Sequence, residues 1–95
     1  MNSTANVKKA LRRVISPVAY KTTQVKWQPT RLGKYRILRI VTPAWKSLPR
    51  FQRVLKVRPA IEAGLSAGEW ANILRISVLT PDEMKRLPVG NGFTK

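Results

Sequence analysis

Lysine and arginine are the residues of this chain with the most chemistry to offer, and their natural target is an anion. The chain has 19 of them against 4 Asp and Glu, a formal net charge of +15 in 95 residues. Residues 1–61 contain no Asp or Glu and carry the whole net charge of +15, whereas the charges of residues 62–95 sum to zero. Surfaces normally mix the two signs, because a block of like charges repels itself. The distribution therefore predicts a phosphate-bearing polyanion as partner.

Aromatic residues are interleaved with these cations, as in proteins that stack on unpaired bases. Trp27 and Tyr35 flank a turn with two cations, which makes them stacking candidates. Three other aromatic residues have the spacing of core residues: Trp45, Phe51 and Trp70. The RNA-binding residues that we predict are Lys8, Lys9, Arg12, Arg13, Lys26, Trp27, Arg31, Lys34, Tyr35, Arg36, Arg39, Lys46, Arg50 and Arg53.

The sequence holds few residues that could catalyse a reaction or bind a metal ion. There is no Cys and no His, which excludes thiolate chemistry, imidazole metal ligands and a histidine general base. Glu69 and Glu83 each follow a hydroxyl residue by three positions, the spacing of a helix capping box. The glycines lack the pattern of a phosphate-binding loop. We expect no enzyme activity, no catalytic residue, no metal, no cofactor and no small-molecule substrate.

Residues 1–19 form a basic N-terminal arm. Apolar residues recur in it at helical spacing, which predicts an amphipathic helix of about two turns that ends at Ser16-Pro17. Those residues are Val7, Ala10, Leu11, Val14 and Ile15. The composition is also that of a mitochondrial transit peptide, and we expect the arm to be retained and held by a partner.

Residues 20–48 contain a predicted strand and an ambiguous run. A first strand covers residues 20–27, with Val25 and Trp27 on one face and Lys26 on the other. Residues 34–42 have apolar positions at helical spacing but enough β-branched residues for a hairpin, and we favour the helix. Thr42-Pro43 then predicts the start of a short helix through Leu48.

The stretch from Leu48 to Leu79 organises the chain as a strand, a helical crossover and a second strand. Alternation over residues 53–57 predicts a strand with Val54 and Val57 buried and with Arg53 and Lys56 exposed. Pro59 is expected to begin the helical segment, which is interrupted near residue 64.

The second strand covers residues 73–79 and brings further apolar residues to the core: Ile73, Ile76 and Val78. Thr80 and Glu83 form a capping box at the start of a C-terminal helix, with acids in its first turn and bases in its last. No apolar run is long enough to cross a bilayer. The domains are therefore the arm (1–19), an α+β domain (20–79), and a C-terminal helix and tail (80–95).

Four stretches resemble the universal large-subunit ribosomal protein family numbered thirty, most closely its mitochondrial branch. They are Thr23-Gln24-Val25; Leu32-Gly33; Arg58-Pro59-Ala60-Ile61 with Ala63-Gly64-Leu65; and Leu79-Thr80-Pro81 with Lys85-Arg86-Leu87 and Asn91-Gly92-Phe93. The chain departs from the family at Leu48-Pro49-Arg50, where the family has Leu-Gly-Leu, in a longer loop around Pro43, and at Ser66-Ala67-Gly68, which adds residues.

The resemblance implies a small α+β fold: a three-stranded antiparallel sheet with two helices packed on one face, in the order β-α-β-α-β. It also implies large-subunit ribosomal RNA as the partner and the mitochondrial matrix as the location. Because residues 62–95 have no charge surplus, we expect residues 80–95 to contact neighbouring ribosomal proteins instead.

Two other functions fit a small basic chain. One is an accessory subunit of a respiratory complex, where cations cover anionic lipid headgroups. The other is a free DNA-binding regulator, which would need a recognition helix with a basic face, and the sequence predicts none.

Overall fold

One three-stranded sheet, with helices packed on one of its faces, makes up the fold. The computed structural model describes residues 3–86. The elements in chain order are α1 (Ser3–Leu11), α2 (Pro17–Tyr20), β1 (Gln24–Thr30), β2 (Gly33–Val41), α3 (Arg50–Gly64), α4 (Ala67–Ala71), β3 (Ile73–Leu79) and α5 (Pro81–Arg86). This is a small α+β fold, as expected from the sequence.

The sheet is mixed, with strand order β1-β2-β3. β1 and β2 form an antiparallel hairpin, with Trp27 opposite Leu38. β3 runs parallel to β2, with Ile76 beside Leu38. The predicted all-antiparallel β-α-β-α-β arrangement is therefore not what the structure shows. β2 and β3 are joined by α3, and a helix that returns the chain to the same end of the sheet leaves the next strand parallel.

The core lies between the sheet and two helices, α1 and α3. Side chains alternate along a strand, so one face of the sheet collects the apolar residues of all three strands. These are Val25, Trp27, Leu38, Ile40, Ile76 and Val78. The helices cover them with Val7, Ala10, Leu11, Val57, Ile61 and Leu65. The predicted burial of Val57 and Val78 is confirmed, and Val54, Ile73 and Ile76 are partly buried against the core.

The predicted N-terminal amphipathic helix is confirmed as α1, but it ends at Leu11 and not at the predicted Ser16-Pro17. Its apolar side packs on the fold's own core. Val7 and Leu11 are fully buried. The indole Nε1 of Trp27 donates a hydrogen bond to Thr4 Oγ1 at 2.8 Å, which ties α1 to β1. Ser16 ends this region by capping α2, which Pro17 begins. Residues 3–15 are thus held by the sheet and by α3.

Residues 53–57 are helical, so the prediction of a strand there was wrong. They belong to α3, in which Arg53, Val57 and Ile61 are the buried residues. Those positions recur every four residues, the period of one helix face, and the alternation over five residues was too short to distinguish the two periods. Pro59 lies inside this helix, not at its start. Arg53 was predicted to be exposed and is 3% exposed, whereas Lys56 is exposed as predicted.

Residues 34–42 are extended, so the hairpin alternative is the observed one and the favoured helix was wrong. β-branched residues favour a strand that is paired on both sides, and β2 is the central strand. The short helix predicted through Leu48 is replaced by turns. Trp45 has φ +58°, a left-handed conformation that interrupts any helix there.

Both predicted capping boxes are confirmed. Ser66 and Glu69 exchange hydrogen bonds at the start of α4. Thr80 and Glu83 do the same at the start of α5: the Thr80 amide donates to Glu83 Oε1 at 2.9 Å, and the Glu83 amide donates to Thr80 Oγ1 at 3.2 Å. The remainder of the predicted C-terminal helix and tail, residues 87–95 with Leu87 and Phe93, lies outside the described residues.

Glu83 has a second partner, the buried guanidinium of Arg53. Arg53 Nη1 donates to Glu83 Oε1 at 2.6 Å and Nη2 donates to Oε2 at 3.2 Å. The other Arg53 hydrogen bonds go to the carbonyls of Trp45, Lys46, Leu48 and Val78. The carboxylate therefore compensates a cation that would otherwise be buried alone.

The helical assignment of α3 predicts opposite results at two of its aliphatic residues. Ile61 is fully buried, so Ile61→Ala should lower the free energy of unfolding by about 3 kcal/mol through lost burial and a cavity. Leu55 is 60% exposed, so Leu55→Ala should change it by less than about 0.5 kcal/mol. Urea unfolding measures both. A strand with Leu55 and Val57 on one buried face would require Leu55→Ala to be costly.

Glu83 also predicts how stability depends on pH. The Arg53 hydrogen bonds, with the Thr80 amide, lower the pKa of Glu83 from the ordinary 4.5 to about 2. A carboxyl with a lowered folded-state pKa stabilises the fold above its unfolded pKa and loses that contribution as the pH falls. The free energy of unfolding should therefore fall between about pH 4.5 and pH 2.

Glu83→Gln tests this directly. It should destabilise the protein at pH 7 by about 3 kcal/mol and flatten the acid part of the pH profile, because the charge on Arg53 is left buried without its counter-ion. Asp82→Asn is the matched control, since Asp82 is the exposed neighbouring acid in the same helical turn. A Glu83→Gln profile that runs parallel to the wild-type profile would contradict the assignment.

Candidate nucleic-acid interface

The cations of the chain lie almost entirely on the surface. Within residues 3–86, every Lys and Arg is exposed except Arg39 and Arg53. Two of the four acids are committed to the fold, Glu69 to the α4 cap and Glu83 to Arg53. The predicted RNA-binding residues fall into four groups, and each group is positioned by a different part of the fold.

The first group lies on and after α1. Lys8 and Lys9 are exposed in its last turn, opposite the apolar residues that α1 buries. Arg12 and Arg13 follow in the next turn, and both are exposed. The Arg12 guanidinium carbon lies 5.6 Å from the centroid of the Tyr20 ring, a cation–π geometry. A shallow cavity beside this pair is lined by Arg12, Ile15, Pro17, Tyr20 and Lys21.

The second group lies at the tip of the β1–β2 hairpin. Arg31, Lys34, Tyr35 and Arg36 are all exposed there. Gly33 has φ +69°, which a turn of this kind requires, and the register shifts between Pro29 and Thr30. Thr30 Oγ1 donates to the Tyr35 carbonyl at 2.7 Å and so fixes the bulged residues. The tip therefore holds three cations and an accessible ring together.

The third group lies on the sheet face opposite α1 and α3. Lys26 is paired directly with Arg39, and Arg75 sits beside Ile37 on the neighbouring strand. No acid occurs in any of the three strands. Like charges on facing strands repel each other. Burial lowers the pKa of Arg39, and the neighbouring Arg75 charge lowers it further. Arg39 is only 8% exposed, so Lys26 and Arg75 are the accessible members.

The fourth group lies before and at the start of α3, and it is only partly a surface. Lys46 and Arg50 are exposed. Arg50 Nε lies 3.9 Å from Glu83 Oε1. Arg53 is buried and held by Glu83, so its assignment to an exposed binding surface was wrong. In the helix, Arg53 lies on the buried face, whereas the predicted strand would have placed it on the exposed face.

Trp27 is a packing residue in this structure. Its ring lies on the core face of β1, partly buried, and its Nε1 donates to Thr4. Tyr35, the other stacking candidate, is exposed at the hairpin tip. Of the two, only Tyr35 therefore presents its ring to a partner. Phe51 was predicted to be a core residue and is 65% exposed in α3, so that prediction was wrong.

Six exposed cations within residues 3–86 were not predicted as binding residues: Lys21, Lys56, Arg58, Arg75, Lys85 and Arg86. Arg58 lies over the Trp70 ring, with its guanidinium carbon 5.8 Å from the ring centroid. Arg75 belongs to the sheet-face group only because β3 is parallel to β2, a register that local sequence does not reveal. The alternation of Arg75 with Ile76 could have indicated that Arg75 faces away from the core.

The described residues hold no group of His, Cys, Asp and Glu able to bind a metal ion. Among these same residues, no helix has the length and apolar character needed to cross a membrane. No protein-family model, no curated protein and no solved structure matches this chain.

Proposed function

We propose that this protein binds RNA as a structural component of a ribonucleoprotein. The observation that carries the proposal is the surface excess of cations. The acid-free first 61 residues hold the whole net charge, and nearly all of their cations are exposed. A surface of this kind is self-repulsive until an anion neutralises it, and a phosphate backbone releases its own counterions when it does so.

RNA is favoured over duplex DNA by the shape of the cationic surface. The described cations are spread over a helix end, a hairpin tip and a sheet face. A major-groove reader would instead concentrate them along one helix. Tyr35, among the hairpin cations, offers a ring to an unpaired base.

Within this class, we propose the large subunit of a mitochondrial ribosome as the particle. This more specific proposal rests on the sequence resemblance to the ribosomal protein family numbered thirty. The β-β-α-β order and mixed sheet depart from the antiparallel fold of that family. The particle therefore needs a test that is independent of RNA affinity.

We also propose that residues 80–95 contact neighbouring proteins. Asp82 is exposed at the start of α5, close to Glu83, and would repel a phosphate. A like-charge contact is costly where water is excluded. Lys85 and Arg86 balance those acids, so residues 80–95 carry a net charge of only +1, against +15 for residues 1–61.

Removing cations from α1 should lower the salt dependence of RNA binding. The double substitution of Lys8 and Lys9 by Gln should reduce the slope of log K against log salt by about one to two, because each phosphate contact contributes roughly 0.7 to 0.9. The matched control replaces Lys85 and Arg86 by Gln, another pair of exposed cations in a last helical turn. An equal reduction in both variants would contradict the placement of the interface.

Sedimentation of organellar extracts tests the particle. The protein should co-sediment with the large ribosomal subunit and be released by high salt, since its contacts with RNA are electrostatic. Association with detergent-solubilised respiratory complexes would instead support the accessory-subunit function. Free protein that binds short RNAs but joins no particle would leave RNA binding standing and reject the ribosomal proposal.

A truncation tests the protein-contact proposal, and the structure fixes where to cut. A chain ending at Leu79 would lack Glu83 and leave the Arg53 charge buried alone, so it should unfold. A chain ending at Arg86 keeps Glu83 and its ion pair with Arg53. It should bind RNA with nearly unchanged affinity and incorporate less well into the particle. A large loss of RNA affinity in this variant would contradict the proposal.

A further inference from the structure

A groove between α3, α4 and β3 combines an apolar floor with two cations and an indole ring. Its volume is about 320 Å³. The aliphatic side chains that line it are Val54, Ile73, Leu74 and Ile76, and the other lining residues are Arg58, Trp70 and Arg75. No acid lines it. Arg58, Leu74 and Arg75 are exposed, whereas Val54, Ile73 and Ile76 are partly buried, so the groove has charged rims and an apolar base.

Each wall of the groove is fixed by a feature of the fold. Trp70 is held by α4, a five-residue helix whose Ser66–Glu69 capping box sets its start. The Arg58 guanidinium lies over the Trp70 ring at 5.8 Å, which keeps the indole plane and the charge together. Ile73 and Ile76 are fixed by the ladder with β2. The groove is therefore largely preformed, as small-ligand sites usually are.

The lining selects for a ligand with both a flat apolar part and a negative charge. An indole ring and aliphatic side chains stack against an aromatic plane. Two guanidinium groups are forked donors suited to phosphate oxygens. Within residues 3–86, β3 is the last strand of the sheet, so its outer backbone edge has donors and acceptors for the edge of a base. A nucleotide has all three complementary features.

We propose that this groove receives one unpaired nucleotide of the RNA, with its base against Trp70 and its phosphate on Arg58 and Arg75. The proposal rests on RNA binding by this protein, and it adds a site to which residues 62–95, the part of the chain without a net charge, contribute Trp70 and Arg75. Arg75 also lies on the strand next to Arg39, which is paired with Lys26. The phosphate backbone can thus continue from Arg75 across the sheet face to Lys26, the other accessible cation of that face.

Two RNA hairpins with the same stem test the site, one fully paired and one with a single bulged nucleotide. Fluorescence anisotropy at fixed salt gives both affinities. The wild type should prefer the bulged hairpin. Trp70→Leu keeps an apolar side chain but removes the stacking surface, and should weaken binding of the bulged hairpin about tenfold with little effect on the paired one.

Two further variants separate the groove from general electrostatics. Arg75→Gln should reduce the preference for the bulge, and as an exposed strand residue it keeps the test valid if Trp70→Leu fails to fold. Lys56→Gln is the charge-matched control, because Lys56 is an exposed cation of α3 that does not line the groove. It should weaken both hairpins equally and leave their ratio unchanged.

A titration with adenosine monophosphate tests whether the groove binds a nucleotide in the absence of RNA. In an NMR spectrum of the indole N–H groups, Trp70 should shift, whereas Trp27, bound to Thr4, should not. An unchanged bulge preference in Trp70→Leu and Arg75→Gln would overturn the groove site and leave RNA binding intact. Equal affinity of the wild type for the two hairpins would overturn it as well. Failure of the wild type to bind either hairpin would reject RNA binding itself, and the groove site with it.

Discussion

The buried guanidinium of Arg53 is the interaction on which the rest of this structure depends. Its donors reach the carbonyls of the β2–α3 loop, a carbonyl at the end of β3, and the carboxylate of Glu83 in α5. A cation removed from water is tolerable only when its hydrogen bonds are made and its charge is compensated. The same five donors therefore dictate where the loop, the strand end and the last helix must lie relative to α3.

The hydrogen bonds of the Arg53 guanidinium explain the local structure around it. The carbonyls of Trp45, Lys46 and Leu48 converge on Arg53, which is why residues 43–48 turn inward and do not continue as a helix. The left-handed conformation of Trp45 is part of that turn. Glu83 serves two purposes, since it also caps α5 through the Thr80 amide. One acid thus fixes the start of a helix and neutralises a buried cation 30 residues away.

Local signals in the sequence predicted the fold where short-range contacts decide the structure. Both capping boxes are contained within four residues, and α1 has a full helical period of apolar residues, so these predictions were confirmed. Residues 34–42 and 53–57 are shorter than the window that separates the periods of helix and strand, and there tertiary pairing decided. The burial of Arg53 depends on a partner far along the chain, which neighbouring residues do not reveal. The alternation of Arg75 with Ile76 indicates the face on which Arg75 lies, but the residues beside it depend on a parallel register that local sequence does not reveal.

The need to neutralise the buried Arg53 also affects which charges remain at the surface. With Glu83 committed to Arg53 and Glu69 to a cap, the exposed cations of residues 3–86 far outnumber the acids left at the surface to compensate them. Contacts of cations with phosphates give affinity and orientation, but they do not distinguish one RNA segment from another. Discrimination requires contact with a base. The cation-rich surface exposes the rings of Tyr35 at the hairpin tip and of Phe51 beside Arg50, and the Trp70 groove adds an aromatic surface held by α4 and β3. In the proposed complex, the cations of the first 61 residues would orient the protein, and unpaired bases stacked on these rings would place it on the RNA.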